Sequence, residues 1–213
     1  MGKQSRTNRR LNARATPPRR PRGLDSRVRL GIAAGMVVAL AVVLTAAAFA
    51  FAISLRPADT GSLPQGTQVF AENDHTHVNG PVTYDRVPPA GGAHNPVQLN
   101  CGVYNQTVPN ENAVHSLEHG AVWITYQPTL PADQVGALQQ FVTTHYVGGE
   151  RYLILSPYAG LPSPIVATAW GAQLGVDSVS DSRLAQFVKV FAGGGQGGEP
   201  GGPCTGGTGS PVE

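Results

Sequence analysis

Histidines crowd one part of this chain. Five of the six, His75, His77, His94, His115 and His119, fall within 45 residues. Imidazole is the commonest metal ligand among protein side chains, so this crowding predicts a metal site. A hydrogen-bonded network of buried histidines without a metal is the structural alternative. The sixth, His145, lies at the end of a predicted helix and is interpreted as structural.

The segment HSLEHG, residues 115–120, has the spacing of a chelating pair. In a helix, His115 and His119 lie one turn apart, and Glu118 shares their face. We therefore predict His115 and His119 as the primary ligands. Glu118 would be either a fourth ligand or a hydrogen-bond partner of the ligands.

Histidines upstream of this segment can complete the site. Side chains alternate along an extended chain, so His75 and His77 would project to the same side. His94 ends a loop of prolines and glycines, PPAGGAH, that can hold it in place. Three or four nitrogen ligands suit Zn²⁺ or Cu²⁺. Methionine-type storage of Cu(I) is disfavoured because the only methionines are Met1 and Met36.

The same segment also matches the H-x-x-E-H pattern of inverzincin metallopeptidases, whose histidines bind zinc and whose glutamate is the general base. Those enzymes are far larger and need a distant glutamate ligand on a second helix. A small zinc-dependent hydrolase with Glu118 as base is therefore one alternative. A non-enzymatic module that binds an envelope protein, with the histidines as a structural network, is another. The chain has no G-x-S-x-G, C-x-x-C or phosphate-binding glycine motif, and the sequence leaves open whether it is an enzyme.

Charge and hydropathy predict a membrane anchor. Residues 1–29 hold ten basic residues and one acidic residue, a charge of +9, and the remaining five basic and twelve acidic residues give −7. Residues 30–55 are uncharged and long enough to span a bilayer, whereas the apolar core of a cleaved signal peptide is shorter. The positive-inside rule then places the tail in the cytoplasm and the rest outside the cell membrane. The tail lacks interleaved aromatic residues, so nucleic-acid binding is disfavoured.

The extracytoplasmic part divides by composition. Residues 56–69 are predicted to be a linker, residues 70–192 a small domain, and residues 193–213 a tail in which ten of 21 residues are glycine. Such a tail cannot bury enough apolar surface to order itself. An even number of cysteines in an oxidising compartment favours a disulfide between Cys101 and Cys204, which would pin the tail. Two free thiols acting as metal ligands are the alternative.

Hydrophobic periodicity predicts an α+β domain with a mixed sheet and two to three helices packed on one face. The predicted helices begin at Asn110, which would cap the first, at Pro131, running to about Tyr146, and after the capping residue Ser180. The predicted strands cover residues 121–126, 151–155 and 165–170, and Gly171 would stop the third.

Several motifs resemble one known family. They include PPAGGAH and HSLEHGAV, and they occupy residues 77–78, 84, 88–94, 101–104, 114–122 and 169–171. In these the chain resembles the bacterial membrane-anchored family catalogued as domain of unknown function 3105, over roughly residues 70–205. The resemblance implies a membrane-tethered extracytoplasmic domain and supplies no activity. The metal hypothesis therefore depends on the residues alone.

Overall fold

The computed structural model describes residues 62–145 and 152–212. The predicted basic tail, the predicted transmembrane helix and the first part of the predicted linker lie outside these residues. Within the described ranges, no helix is both long and apolar enough to cross a membrane.

The described residues form a mixed six-stranded sheet and three helices. The strands are β1 (Gln68–Val69), β2 (Gly102–Val103), β3 (Val122–Tyr126), β4 (Leu153–Pro157), β5 (Ile165–Ala169) and β6 (Ala172–Val176). The helices are α1 (Asn110–Glu118), α2 (Ala132–Thr144) and α3 (Ser182–Phe191). The strand order is β1-β6-β5-β3-β4-β2, with β4 parallel to β2 and β3 and the other pairs antiparallel. The α+β prediction is confirmed.

Both faces of the sheet are covered by helices. The central strand β3 is apolar along nearly its whole length and is buried on both sides. Val122 and Ile124 belong to a core that also contains residues of α2 and α3. Trp123 points to the other face and packs in a second core with Val114 and Leu117 of α1. The sequence predicted helices on one face only, and this part of the prediction is wrong. The histidines lie on the α1 side.

The sequence analysis predicted three of the six strands and missed the two-residue strands β1 and β2 and the longer strand β6. It missed β6 because of a glycine. Gly171 was predicted to stop the third strand, but its φ of +66° forms a tight turn, and β6 returns antiparallel beside β5. A φ in this region favours glycine because it has no Cβ. In β6, Ala172, Leu174 and Val176 are buried and alternate with half-buried residues, the period-two pattern of a strand.

Helix capping also differs from the prediction. Pro109, not Asn110, is the N-cap residue of α1, and no side chain caps that end. Asp181, not Ser180, caps α3, and its carboxylate accepts a hydrogen bond from the backbone N–H of Arg183 at 2.9 Å. A carboxylate in this position satisfies a donor that the first turn leaves free.

Candidate metal centre

The end of α1 carries three of the predicted site residues. His115 and Glu118 lie in its last turn, and His119 follows as the C-cap residue, its N–H donating to the carbonyl of His115 at 3.2 Å. The helix is fixed by Ser116, whose hydroxyl donates to the Leu99 carbonyl at 2.7 Å and accepts from the Leu99 N–H at 3.0 Å. The predicted i, i+4 relation is confirmed, since the imidazoles of His115 and His119 meet edge to face at 4.6 Å.

The upstream histidines reach the same place through a short backbone pairing. The His94 carbonyl accepts from the N–H of Val78 at 2.7 Å, and the His94 N–H donates to the carbonyl of Thr76 at 2.9 Å. This pairing sets the ring of His77 against those of His94 and His115, with ring centres 4.8 and 4.9 Å apart. Two segments far from α1 in sequence therefore deliver their imidazoles to its end.

Three buried histidines have their rings fixed by backbone carbonyls. The Nδ1 atoms of His94, His115 and His119 lie 2.8, 2.6 and 2.7 Å from the carbonyl oxygens of Gly92, Asn95 and Pro203. A carbonyl only accepts hydrogen bonds, so each Nδ1 must carry a proton. In the neutral imidazole the lone pair then sits on Nε2. A carbonyl partner of this kind sets the tautomer and ring direction of metal-binding histidines.

The Nε2 atoms of His115 and His119 face each other at 3.0 Å. With both Nδ1 atoms protonated, two lone pairs meet unless a cation or a further proton lies near both. Burial, and the nearby histidines to a lesser degree, hold the pKa of His115 below its ordinary value and oppose that proton. A zinc ion bound at 2.0–2.1 Å separates its nitrogen ligands by about 3.3 Å. The observed separation is close to that value.

Glu118 supplies negative charge to the centre. Its side chain is almost fully buried, and its two oxygens contact Nδ1 of His75 at 2.5 Å and Nε2 of His94 at 2.9 Å. Nε2 of His77 lies 3.6 Å away. Burial raises the pKa of this carboxyl, but the hydrogen bond from His75 and the neighbouring His94 outweigh burial and bring the pKa below its ordinary value. Glu118 is therefore an ionised carboxylate beside the imidazoles. Its 2.9 Å contact with Nε2 of His94 requires a proton on that nitrogen as well as on Nδ1, or a cation in the place of that proton.

The described residues contain two groups of side chains that can hold a metal ion. We call the first, His77, His94 and His115, the inner position, and the second, His115, His119 and Glu199, the outer position. Within each group the ligand atoms lie within 4.8 Å of one another. Glu118 belongs to neither group but adjoins His77 and His94. His75 also lies outside both groups. Its Nδ1 bonds Glu118, and its ring stacks on Trp170 at 4.6 Å.

The glycine-rich tail packs over this centre, contrary to the prediction that it would not order itself. A Cβ on Gly197 would overlap the backbone of Glu118, and one on Gly202 would lie 2.6 Å from the ring of His119. Glycine therefore permits an approach that another residue would prevent. Cys204 forms the predicted disulfide with Cys101, and neither thiol is free. The alternative of thiol ligands is wrong.

Gly197→Ala is expected to destabilise the chain by about 1–3 kcal/mol, because the added methyl must push the tail off α1. Gly136→Ala is the matched control. Nothing lies near its Cβ position in α2, so the better helix propensity of alanine should stabilise the chain by about 0.5–1 kcal/mol. Urea unfolding of both variants measures the difference. Equal effects would show that the tail does not pack tightly on α1.

Sequence reasoning missed Glu199. Its carboxylate lies 3.3 Å from Nε2 of His119, and its side chain is 57% exposed. A signal was available, since Glu199 is the only charged residue in 193–212 and lies five residues before Cys204. A disulfide that pins the tail to the domain also brings this carboxylate to it.

Comparison with known proteins places the chain in a family without a described activity. The family model described as protein of unknown function (DUF3105) matches residues 75–206, and the chain belongs to this family. The matched range includes the five clustered histidines, Glu118, Glu199 and both cysteines. No curated protein and no solved structure matches the chain.

Proposed function

We propose that this chain is a membrane-anchored extracytoplasmic protein that binds one zinc or copper ion in the inner position. The ligands would be the Nε2 atoms of His77, His94 and His115. The observation that carries the proposal is the convergence of these three imidazoles, whose ligand atoms lie within 4.8 Å of one another. The buried rings of His94 and His115 are held at Nδ1 by the carbonyls of Gly92 and Asn95, which leaves Nε2 as the atom that can bind a metal. This is the arrangement that fixes histidine ligands for a metal.

The surrounding charge supports a cation. Three neutral imidazoles leave the charge of a divalent ion uncompensated, and the carboxylate of Glu118 adjoins Nε2 of both His94 and His77. Glu118 can balance that charge or bind as a fourth ligand. Nitrogen and oxygen ligands without thiolate or thioether sulfur suit Zn²⁺ and Cu²⁺.

Two features support a domain that lies outside the cytoplasm and is anchored in the membrane. The disulfide between Cys101 and Cys204 fits an oxidising compartment. The basic residues of 1–29 before the apolar run of 30–55 fit an N-terminus in the cytoplasm and a domain outside it.

Metal binding is favoured over hydrolysis by the contacts of Glu118. A general base needs a free oxygen within hydrogen-bond reach of the proton it removes. Both oxygens of Glu118 already contact histidines, His75 and His94. We therefore assign Glu118 to charge balance and orientation.

The test is the metal content of the purified full-length chain, measured by mass spectrometry. The affinity for zinc and copper is measured by competition against a chelator. The wild type is expected to carry close to one equivalent of zinc or copper. His77→Ala removes a ligand whose side chain is 40% exposed, so little packing is lost. It should weaken binding by more than the roughly 10–100-fold typical of losing a supporting hydrogen bond.

His145→Ala is the matched control. Nδ1 of His145 also bonds a backbone carbonyl, that of Phe141 at 2.6 Å, but His145 lies outside both metal positions. This variant should keep its metal. A folded wild type that carries no metal and binds neither added zinc nor added copper would overturn the proposal and leave the structural histidine network as the explanation.

A further inference from the structure

We infer that the outer position, formed by His115, His119 and Glu199, is an exchange position through which the ion enters and leaves the inner one. This inference depends on the proposed function. It assigns a metal-binding role to Glu199 and makes His115 the ligand common to both positions.

The spacing of the outer ligand atoms fits coordination. Nε2 of His119 lies 3.0 Å from Nε2 of His115 and 3.3 Å from a carboxylate oxygen of Glu199. Ligands of one ion at 2.0–2.1 Å are separated by about 3.3 Å. Two imidazoles and a glutamate form a known ligand set for zinc that keeps a fourth position open for an exchangeable ligand.

The two positions exclude each other because they share one atom. Nδ1 of His115 is held by the Asn95 carbonyl, so only its Nε2 can bind metal, and one lone pair binds one ion. To move between positions, the ion keeps its bond to His115. It breaks the bonds to His77 and His94 as it forms bonds to His119 and Glu199. Neither a change of oxidation state nor a proton transfer is required.

Charge and exposure distinguish the outer position as the point of exchange. His77 and Glu199 are the exposed ligands, with 40% and 57% of their side chains accessible. Of these two, Glu199 carries a negative charge, so it attracts a hydrated cation more strongly than the neutral imidazole of His77 does. The charge of Glu118 beside the inner position is buried, with 3% of its side chain exposed. The open fourth position lets water or the ligand of a metal donor bind during transfer.

The tail fixes this carboxylate in place. The N–H of Gly202 donates to the Glu199 carbonyl at 3.1 Å, and that of Gly201 donates to the His119 carbonyl at 3.2 Å. Glu199 therefore belongs to a short segment attached directly to the histidine it would assist.

The experiment measures zinc uptake and chelator-driven zinc release by the full-length chain, comparing wild type with Glu199→Gln. An exchange position is an intermediate, so its loss slows uptake and release equally and leaves the equilibrium affinity unchanged. We expect both rates to fall by about tenfold or more, since local charge changes association rates by about 10–1000-fold. Asp133→Asn, an exposed change of equal charge in α2, is the control and should alter neither rate.

The outcomes separate the two hypotheses. Unchanged rates in Glu199→Gln overturn the exchange position while leaving the inner position intact. Loss of the bound metal in Glu199→Gln also overturns it, because Glu199 would then be a ligand of the resident ion. Slower uptake with unchanged release means that the charge acts only by attraction, and this too overturns the inference. A wild type that binds no zinc ends the proposed function itself.

Discussion

Replacing His115 with alanine is expected to abolish metal binding at both positions, and the affinity for zinc should fall by roughly 1000-fold or more, equivalent to about 4 kcal/mol. Nε2 of His115 is common to the inner and outer groups of ligands, so its loss leaves two ligands in each. No other side chain in the described ranges belongs to both groups. His115→Ala should therefore be more damaging than His77→Ala or His119→Ala, each of which leaves one complete group.

Folding must be separated from ligation in this variant, since His115 is buried and bonds the Asn95 carbonyl. His115→Gln keeps most of the volume and a hydrogen-bonding amide but does not reproduce the imidazole ligand. Zinc affinity by competition and the unfolding midpoint of the metal-free protein should be measured for both variants. A folded His115→Gln that binds zinc as tightly as wild type would refute the assignment of His115 as the shared ligand.

Local patterns explain why much of the fold could be predicted. Nine residues from Asn110 form α1, and the relation of His115 to His119 follows from helical periodicity alone. The stripe of Leu184, Phe187, Val188 and Phe191 in α3 is buried as its spacing predicted. These features depend on neighbours within two turns, so one sequence contains the information.

Contacts between distant segments could not be predicted in this way. The pairing of His77 with His94 depends on backbone hydrogen bonds between two irregular segments, which no periodicity marks. Composition indicated the crowding of histidines, but it could not divide them between two positions. It also could not separate His75, which bonds Glu118 and stacks on Trp170, from the predicted ligands.

The tail was predicted incorrectly because its small apolar surface does not reveal the contacts that it makes with the rest of the domain. Residues 193–212 bury little apolar surface of their own, yet their backbone forms hydrogen bonds with the domain at several points. The N–H of Gly193 donates to the Gly120 carbonyl, and the N–H of Cys101 donates to the Cys204 carbonyl. The glycines of the tail allow its backbone to pack closely against His119 and Glu118. Composition alone does not distinguish glycine that permits close packing from glycine in an unstructured tail.

Removing the disulfide by Cys101→Ala with Cys204→Ala is expected to lower the free energy of unfolding by about 4–5 kcal/mol. The bond joins residues 103 apart in sequence, and in the chain-entropy model a loop of about 100 residues contributes about 4.7 kcal/mol. Domains are stable by only about 5–15 kcal/mol, so this is a large fraction of the total. Urea unfolding of the metal-free double variant, compared with the oxidised wild type, measures the loss.

The same double variant should also disturb the outer position, because the carbonyl of Pro203, next to Cys204, holds Nδ1 of His119. Without the disulfide, the tail keeps only hydrogen bonds to the domain, and His119 and Glu199 lose their fixed separation. We expect zinc exchange to slow as in Glu199→Gln, while the inner ligands His77 and His94, which do not depend on the tail for their orientation, retain the ion. A double variant that unfolds at the wild-type urea concentration would show that hydrogen bonds alone hold the tail. Unchanged stability together with unchanged exchange would show that the disulfide does not organise the centre.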